Sequence, residues 1–355
     1  MQLVRAKGEV NVLDAAGNAA YDLSIGETYV LYDHEAGFGM RDGALRRVAS
    51  LDSKVPAYRG EPLIRQRLLA AFIGGQGDAV ALGSCLQALH DRFPEITIDI
   101  ACLSAARGVF ELMPRFGELL EYPIRADRLD AYDYHLSFED IEAVRDGPRL
   151  RCTDLFRRCL KTPPVSGPVS LTVPPDARSR LQLPPTDRPR VAVHPGRPNS
   201  LRSYPADLTR ELVAGLAAGG VDVFLVGAND AAPKAADVDR PTERIHDFVN
   251  RTPSVGDLAA LLSRMDVVVT SDSFPLHLAG ALGVETLALF TSTDAVIAMD
   301  YPCVTAVRSG ESCSPCRVAD GACPLGHSGC VAHHNATLSP QRIAEYVRAH
   351  IVVSA

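Results

Sequence analysis

Between residues 266 and 290 the hydrophobic pattern changes period twice. Val267 to Thr270 is a β-branched run that ends in Ser271-Asp272-Ser273. An apolar helical pattern then opens at Pro275 and closes at Gly283, and a second β-rich run follows from Thr286 to Phe290. Short apolar runs bounded by turn residues predict buried strands, and the longer 3.6-period run between them predicts a helix. The order strand, turn, helix, strand predicts a doubly wound α/β unit, in which ligands bind outside the carboxyl ends of the strands. Asp272 and Ser273 fall at that end, and His277 falls one turn into the helix.

The same rhythm runs through most of the chain. Residues 68–74 predict a buried strand that ends in Gly74-Gly75-Gln76-Gly77-Asp78, followed by a helix up to Phe93-Pro94. Residues 97–103 predict the next strand, and a helix is expected near 109–113. After a proline-rich stretch at 163–185, Arg190-Val-Ala-Val-His194 predicts a strand closed by Pro195-Gly196. A helix over 208–218, a strand over 221–227 closed by Gly227-Ala228-Asn229-Asp230, and a helix over 258–265 continue the alternation. Ser254, with Asp257 three residues on, predicts a capping-box variant before that last helix. A final helix is expected over 342–350, after Ser339-Pro340.

Residues 1–52 read differently. Val10-Asn-Val-Leu13 and Tyr21-Asp-Leu23 flank a turn-like Asp14 to Asn18, which is a hairpin signal, and residues 26–32 alternate like a third strand. So short a segment cannot build a large core of its own, and a small β unit docked on the next domain is expected. The expected organisation is a β-barrel-like unit at 1–55, a Rossmann-like domain at 60–180, a second one at 186–338, and a terminal helix at 339–355.

Composition adds limits. The 355 residues are 46% hydrophobic and 22% charged, ordinary for a globular protein of two to three domains. The formal net charge of -7 disfavours a nucleic-acid module, which needs a basic face. No apolar run approaches the roughly 18 residues of a membrane span. Met1-Gln-Leu-Val-Arg5 has no apolar core of a secretory signal, so a cytoplasmic protein is expected. Of nine cysteines, five (Cys85, Cys102, Cys152, Cys159, Cys303) are scattered and read as small core residues. The other four, Cys313, Cys316, Cys323 and Cys330, fall within eighteen positions. Four thiolates with one CxxC pair suit a closed, tetrahedral structural metal site, with zinc the default, and disulfides or free thiols are the alternatives. His327, His333 and His334 lie close enough to replace a ligand, although loop histidines are more often exposed.

Two α/β domains with Gly-rich strand ends predict a cleft with a ligand site. Pro195 and Gly196 with Arg197, Arg202 and Ser203 offer amides and guanidinium groups for an anion. Asp272 and Ser273 would line the same strand ends, or merely cap the Pro275 helix.

Three blocks in order resemble glycosyltransferase family 9, the heptosyltransferases. His194-Pro-Gly196 with Arg202-Ser-Tyr-Pro205 is similar to that family's Pro-Gly…Lys-Arg-Trp-Pro signature. The block from Asp272 to Gly283 is similar to its Asp-Thr/Ser-Gly-Pro-x-His block. Gly77-Asp78-Ala-Val80, with Phe93-Pro94, is similar to its amino-terminal Gly-Asp motif. The resemblance implies a GT-B fold of two Rossmann-like domains facing a cleft, and inverting, metal-independent transfer of heptose from ADP-heptose to a hydroxyl. It implies Asp78 as catalytic base, the alternative being a helix N-cap. It also implies a donor site of Gly77, Pro195, Gly196, Arg202, Asp230, Asp272, Ser273 and His277. Phe274 stands where the family has Gly, and Ser203-Tyr204 where it has Arg-Trp. Within the family, the amino-terminal β unit and four-cysteine finger resemble the bacterial autotransporter heptosyltransferases. That narrower likeness implies structural iron instead of zinc, a serine of an adhesin as acceptor, and a homo-oligomer. A lipopolysaccharide-core heptosyltransferase and a non-catalytic binding protein of the same fold are the alternatives.

Overall fold

The computed structural model describes residues 1–8, 10–13, 19–136, 138, 150–162, 167–197, 200–228, 243–295, 301–318 and 322–353. The chain divides into two compact units, Met1–Val169 and Ser170–Ala355.

The first unit opens with β1 (Gln2–Ala6), β2 (Val10–Leu13), β3 (Ala19–Leu23), β4 (Thr28–Leu31), α1 (Asp33–Arg41) and β5 (Leu45–Ser50). These strands form a three-stranded antiparallel sheet, β4-β1-β5, and a separate β2-β3 hairpin whose turn lies outside the described residues. Helix α1 interrupts what the sequence presents as a run of strands. Its first turn is held by Glu35, whose Oε2 accepts from the Tyr32 amide at 3.1 Å and from the Tyr122 hydroxyl at 2.6 Å. A carboxylate in the first turn also faces the positive end of the helix dipole.

A four-stranded parallel sheet follows, built from β6 (Arg67–Phe72), β7 (Thr97–Cys102), β8 (Leu119–Glu121) and β9 (Tyr134–Leu136) in the order β8-β7-β6-β9. Its helices are α2 (Gln76–Arg92), α3 (Ser104–Phe110) and α4 (Cys152–Leu160). Helix α3 starts earlier than the sequence pattern predicts and has ended where that pattern centres it. The amino-terminal strands do not have a core to themselves. Val4, Val30, Leu31 and Leu51 share one cluster of buried side chains with Leu69 and Ala71 of β6 and Ala101 of β7. Burial against the larger sheet supplies the apolar area that some fifty residues cannot provide alone.

The second unit contains α5 (Pro175–Arg180), β10 (Arg190–His194), α6 (Ala206–Ala218), β11 (Asp222–Gly227), β12 (Ile245–Val249) and α7 (Val255–Leu262). It continues with β13 (Val267–Ser271), α8 (Phe274–Ala281), β14 (Thr286–Phe290), β15 (Val304–Arg308) and α9 (Pro340–Val353). All six strands are parallel, in the order β12-β11-β10-β13-β14-β15. Every residue of β13 and β14 is buried, as expected of strands covered on both faces. The Ser254 cap before α7 is present: its Oγ accepts from the Asp257 amide at 3.1 Å and donates to Asp257 Oδ2 at 2.6 Å. Helix α5 lies within the proline-rich stretch, where the sequence pattern shows only a linker.

Counted along this unit, the strand order is 3-2-1-4-5-6. The direction of winding reverses between β10 and β13, and a crevice opens at the carboxyl ends of strands at such a switch point. In the first unit the order 3-2-1-4 puts the corresponding point between β6 and β9. Among the described residues, no helix is long and apolar enough to cross a membrane.

Candidate active site

The switch point of the second unit gathers most of the residues singled out in the sequence. Pro195 and Gly196 leave β10, and Gly196 has a φ of +117°, outside the range that side chains tolerate. A Cβ there would meet Ser203 Cβ and Ser271 Oγ, each at 2.7 Å. Glycine is therefore required twice, by conformation and by the close approach of β13. The loop then folds back on itself: the Tyr204 amide donates to Pro195 O at 2.6 Å, and Ser203 Oγ donates to Arg197 O at 2.5 Å. This return brings Arg202 to the end of β13, with a guanidinium nitrogen 3.6 Å from Asp272 Oδ2. The pair is ionic, too long for a hydrogen bond.

Ser273 is the N-cap residue of α8, yet its side chain makes no cap bond. Its Oγ instead donates to Ser271 O at 3.1 Å, as Thr270 Oγ1 does at 3.0 Å. Both hydroxyls also lie 3.2 Å from His194 Nδ1. Burial pushes the His194 imidazole down to about 4, so it is neutral at neutral pH.

The crevice also holds hydroxyls that the sequence pattern does not single out. The side-chain oxygens of Ser271, Ser292 and Thr293 are buried with no hydrogen-bond partner among the described residues. They sit at or just past the ends of β13 and β14. Buried polar groups are normally paired, so three orphaned hydroxyls at neighbouring strand ends mark a place for a polar ligand. Phe274, in the first helical position, has no positive φ and is half-buried, so replacing glycine there strains nothing in the backbone. His277 is half-buried, its Nδ1 3.2 Å from the Tyr301 hydroxyl. Asp230 lies outside the described residues.

In the first unit, β6 ends in Gly74-Gly75, and α2 starts with Gly75 as N-cap. Gly77 is the second helical residue and Asp78 the third, so Asp78 is not the cap. Its Oδ1 accepts from the Cys152 thiol at 3.3 Å. Cys152 is thus only half-buried and touches a candidate base, and is not the plain core residue that its isolation in the sequence suggests. Cys85 and Cys102 are buried, in agreement with the sequence.

The cysteine-rich segment follows β15. All four of its cysteines are free thiols, so there are no disulfides among them. Among the described residues, no group of three or more Cys, His, Asp or Glu side chains is close enough to hold a metal. The thiols are nevertheless not dispersed. Burial raises the Cys330 thiol above its ordinary range, the Thr291 hydroxyl opposes this, and Cys316 and Cys313 add to the rise through their charge. Their chemistry fits a thiophilic metal. His327 and His334 are exposed, but His333 is buried, with 1% of its surface accessible, contrary to the expectation for a loop histidine.

With the geometry in view, the likeness to known proteins can be placed on it. Residues 150–325 match the model of glycosyltransferase family 9 (heptosyltransferase). No curated protein sequence matches the chain. The ADP-heptose lipopolysaccharide heptosyltransferase II of E. coli is similar in structure, with a TM-score of 0.58 and 18% identity over 81% of this chain and 99% of that one. A family 9 glycosyltransferase from Veillonella parvula DSM 2008 has a TM-score of 0.63 and 14% identity, covering 82% of this chain and 98% of its own. The iron-containing dodecameric glycosyltransferase TibC from enterotoxigenic E. coli H10407 has a TM-score of 0.58 and 12% identity, covering 98% of this chain and 92% of its own. At these identities the structures report on the fold, which is the α/β fold with parallel sheets of GT-B heptosyltransferases. The matched segment contains β10, the Arg202 loop, β13 and α8, and on that ground the chain is a glycosyltransferase whose residues 150–325 form a family 9, heptosyltransferase-type domain.

Proposed function

We propose that the chain transfers heptose, with inversion, from ADP-heptose to a serine hydroxyl of a protein of the autotransporter adhesin kind. The observation that carries the donor half is the 3-2-1-4-5-6 switch point, where Gly196, Arg202, Asp272, Ser273 and the orphaned hydroxyls of Ser271 and Ser292 converge. Amides after β10 and the Arg202 guanidinium suit a diphosphate, and guanidinium binds phosphate in a bidentate manner. Pro195 shapes that turn, and Asp230 and His277 complete the donor site in this reading.

In the reaction, the acceptor oxygen attacks the anomeric carbon as the bond from that carbon to the diphosphate oxygen breaks. Asp78 takes the hydroxyl proton, and ADP departs with the bonding electrons. Gly77, beside that carboxylate in the first turn of α2, belongs to the donor site in this reading. Arg202 and the amino-terminal end of α8 offset the charge that grows on the diphosphate.

The protein acceptor is supported by length of likeness. Heptosyltransferase II covers 81% of this chain, whereas TibC covers 98%. In this reading residues 1–55 and the 313–330 segment serve homo-oligomer assembly, and the two Rossmann-like domains span 60–180 and 186–338. Cys313, Cys316, Cys323 and Cys330 would hold a structural iron, with zinc the alternative. When bound, the metal supplies a crosslink that ties the segment to the fold. Metal analysis of the purified protein decides between the two, and a metal-free folded protein would exclude both.

The second reading, a lipopolysaccharide-core transferase, is favoured by the 99% coverage of heptosyltransferase II. Mass spectrometry of an adhesin passenger fragment, co-expressed with and without this protein, separates the two. One heptose mass per modified serine supports a protein acceptor. An unmodified fragment, with ADP-heptose turned over on a lipid-linked acceptor, overturns it.

A further inference from the structure

His333 lies at the end of the cysteine-rich segment, outside the set of residues used above, and is buried. Its Nε2 is 3.3 Å from Leu201 O and 3.2 Å from Thr291 Oγ1. Thr291 Oγ1 in turn donates to Leu201 O at 3.3 Å. A carbonyl can only accept, so Nε2 carries the ring proton, and the Leu201 carbonyl receives two donors from two distant segments. That carbonyl belongs to the peptide plane joining Leu201 to Arg202. The other side of the same plane is held too, because the Arg202 amide donates to Ser200 Oγ at 3.3 Å. Tyr204 packs edge-on against the His333 ring at 5.7 Å and donates from its hydroxyl to Leu338 O at 2.6 Å. The loop bearing Arg202 is thereby fastened on one flank by Thr291, just past β14, and on the other by the turn that follows Cys330.

We infer that His333, with Thr291, is a positioning residue for donor binding: it fixes the Leu201–Arg202 peptide plane so that the Arg202 guanidinium meets the donor's diphosphate. The inference rests on the donor reading given above. It assigns His333 to the Arg202 loop and not to the metal. It also gives the cysteine-rich segment a route to the donor site, since the His333 amide donates to Cys330 O at 3.4 Å and starts the turn there.

His333 Nδ1 has no partner among the described residues, so Nε2 makes the ring's hydrogen bonds there.

Titration calorimetry with ADP on the full-length protein tests the inference. Losing the ring's contacts with the Leu201 carbonyl and with Thr291 Oγ1 should weaken ADP binding about tenfold in His333→Leu. His333→Gln, which can present an N–H close to the position of Nε2, should stay within about threefold of wild type, a rescue that a purely structural role would not produce. Should His333→Leu fail to fold, Thr291→Val removes the second donor and should weaken ADP about threefold by itself. Arg202→Ala is the reference. If it leaves ADP binding unchanged, the donor reading falls and this inference with it. If Arg202→Ala weakens binding while the His333→Leu or Thr291→Val variant that folds binds as wild type, the inference alone is overturned. Equal losses in His333→Leu and His333→Gln overturn it as well.

Discussion

Ser273 Oγ lies 3.2 Å from His194 Nδ1, although Ser273 occupies the N-cap position of α8 and would ordinarily turn its hydroxyl onto the helix. The sequence leaves two roles open for this serine, and the geometry separates them. A capping serine replaced by alanine costs about 1 kcal/mol of stability. Here no cap bond exists to be lost. Ser273→Ala is expected to leave the urea midpoint nearly unchanged and to weaken ADP binding several-fold, through loss of a bond that orients the His194 ring. A destabilised variant with unaltered ADP affinity would return Ser273 to a capping role.

Two glycines of the second unit should respond to alanine in opposite directions. At Gly196 the backbone is at φ +117° and a Cβ collides with Ser203 and Ser271. Gly196→Ala should destabilise by on the order of 2–3 kcal/mol and displace the Arg202 loop. Gly215 lies on the exposed face of α6, where an added Cβ would meet nothing within 4 Å and the φ is not positive. Gly215→Ala should stabilise by about 0.5–1 kcal/mol, the usual helix-propensity gain. Chemical denaturation of both variants checks the pair, and loss of stability at Gly215 would mean that α6 is more crowded than its geometry shows.

The switch-point strands are legible in the sequence because each is a short apolar run closed by a turn residue. Val191 to Val193, Val267 to Val269 and Leu287 to Leu289 are buried on both faces and so carry no polar interruptions. Strands β12 and β15 are the edges of the same sheet, are half-exposed, and alternate too weakly to stand out. Helix α1 is not legible because Gly37 and Gly39 lower its propensity, while Glu35, which starts it, is paired with Tyr122 at a separation of 87 residues. The same reason hides the two supporting residues of the site. Cys152 meets Asp78 across 74 residues, and His333 meets Leu201 across 132. Motif spacing reveals the groups on one loop, but not the partners that tertiary folding brings to them.

Asp78 is the third residue of α2 and not its cap, so its carboxylate can be altered without removing a cap bond. Asp78→Asn keeps the shape and removes the proton acceptor. Turnover of ADP-heptose should fall by about 10²–10⁴, with ADP affinity and the unfolding midpoint little changed. Cys152→Ala, which withdraws the thiol from Oδ1, should lower turnover without abolishing it. Undiminished turnover in Asp78→Asn would exclude this carboxylate as the base.

Two neutral histidines should make the second unit sensitive to acid. Burial holds His194 and His333 at about 4, against an ordinary value near 6.5 in the unfolded chain. Between these values the unfolded state binds protons that the folded state does not, so stability rises with pH across that window. Read downward, stability is complete above about pH 6.5, declines as pH falls towards 4, and gains no further loss from these rings below it. The fully buried His333 alone contributes a loss on the order of 3 kcal/mol across the window. Urea denaturation at pH 7, 5.5 and 4.5 should show this decline in wild type, and a shallower one in His333→Gln, which cannot take up the proton. Parallel slopes in the two proteins would show that His333 is not the buried neutral group its surroundings make it.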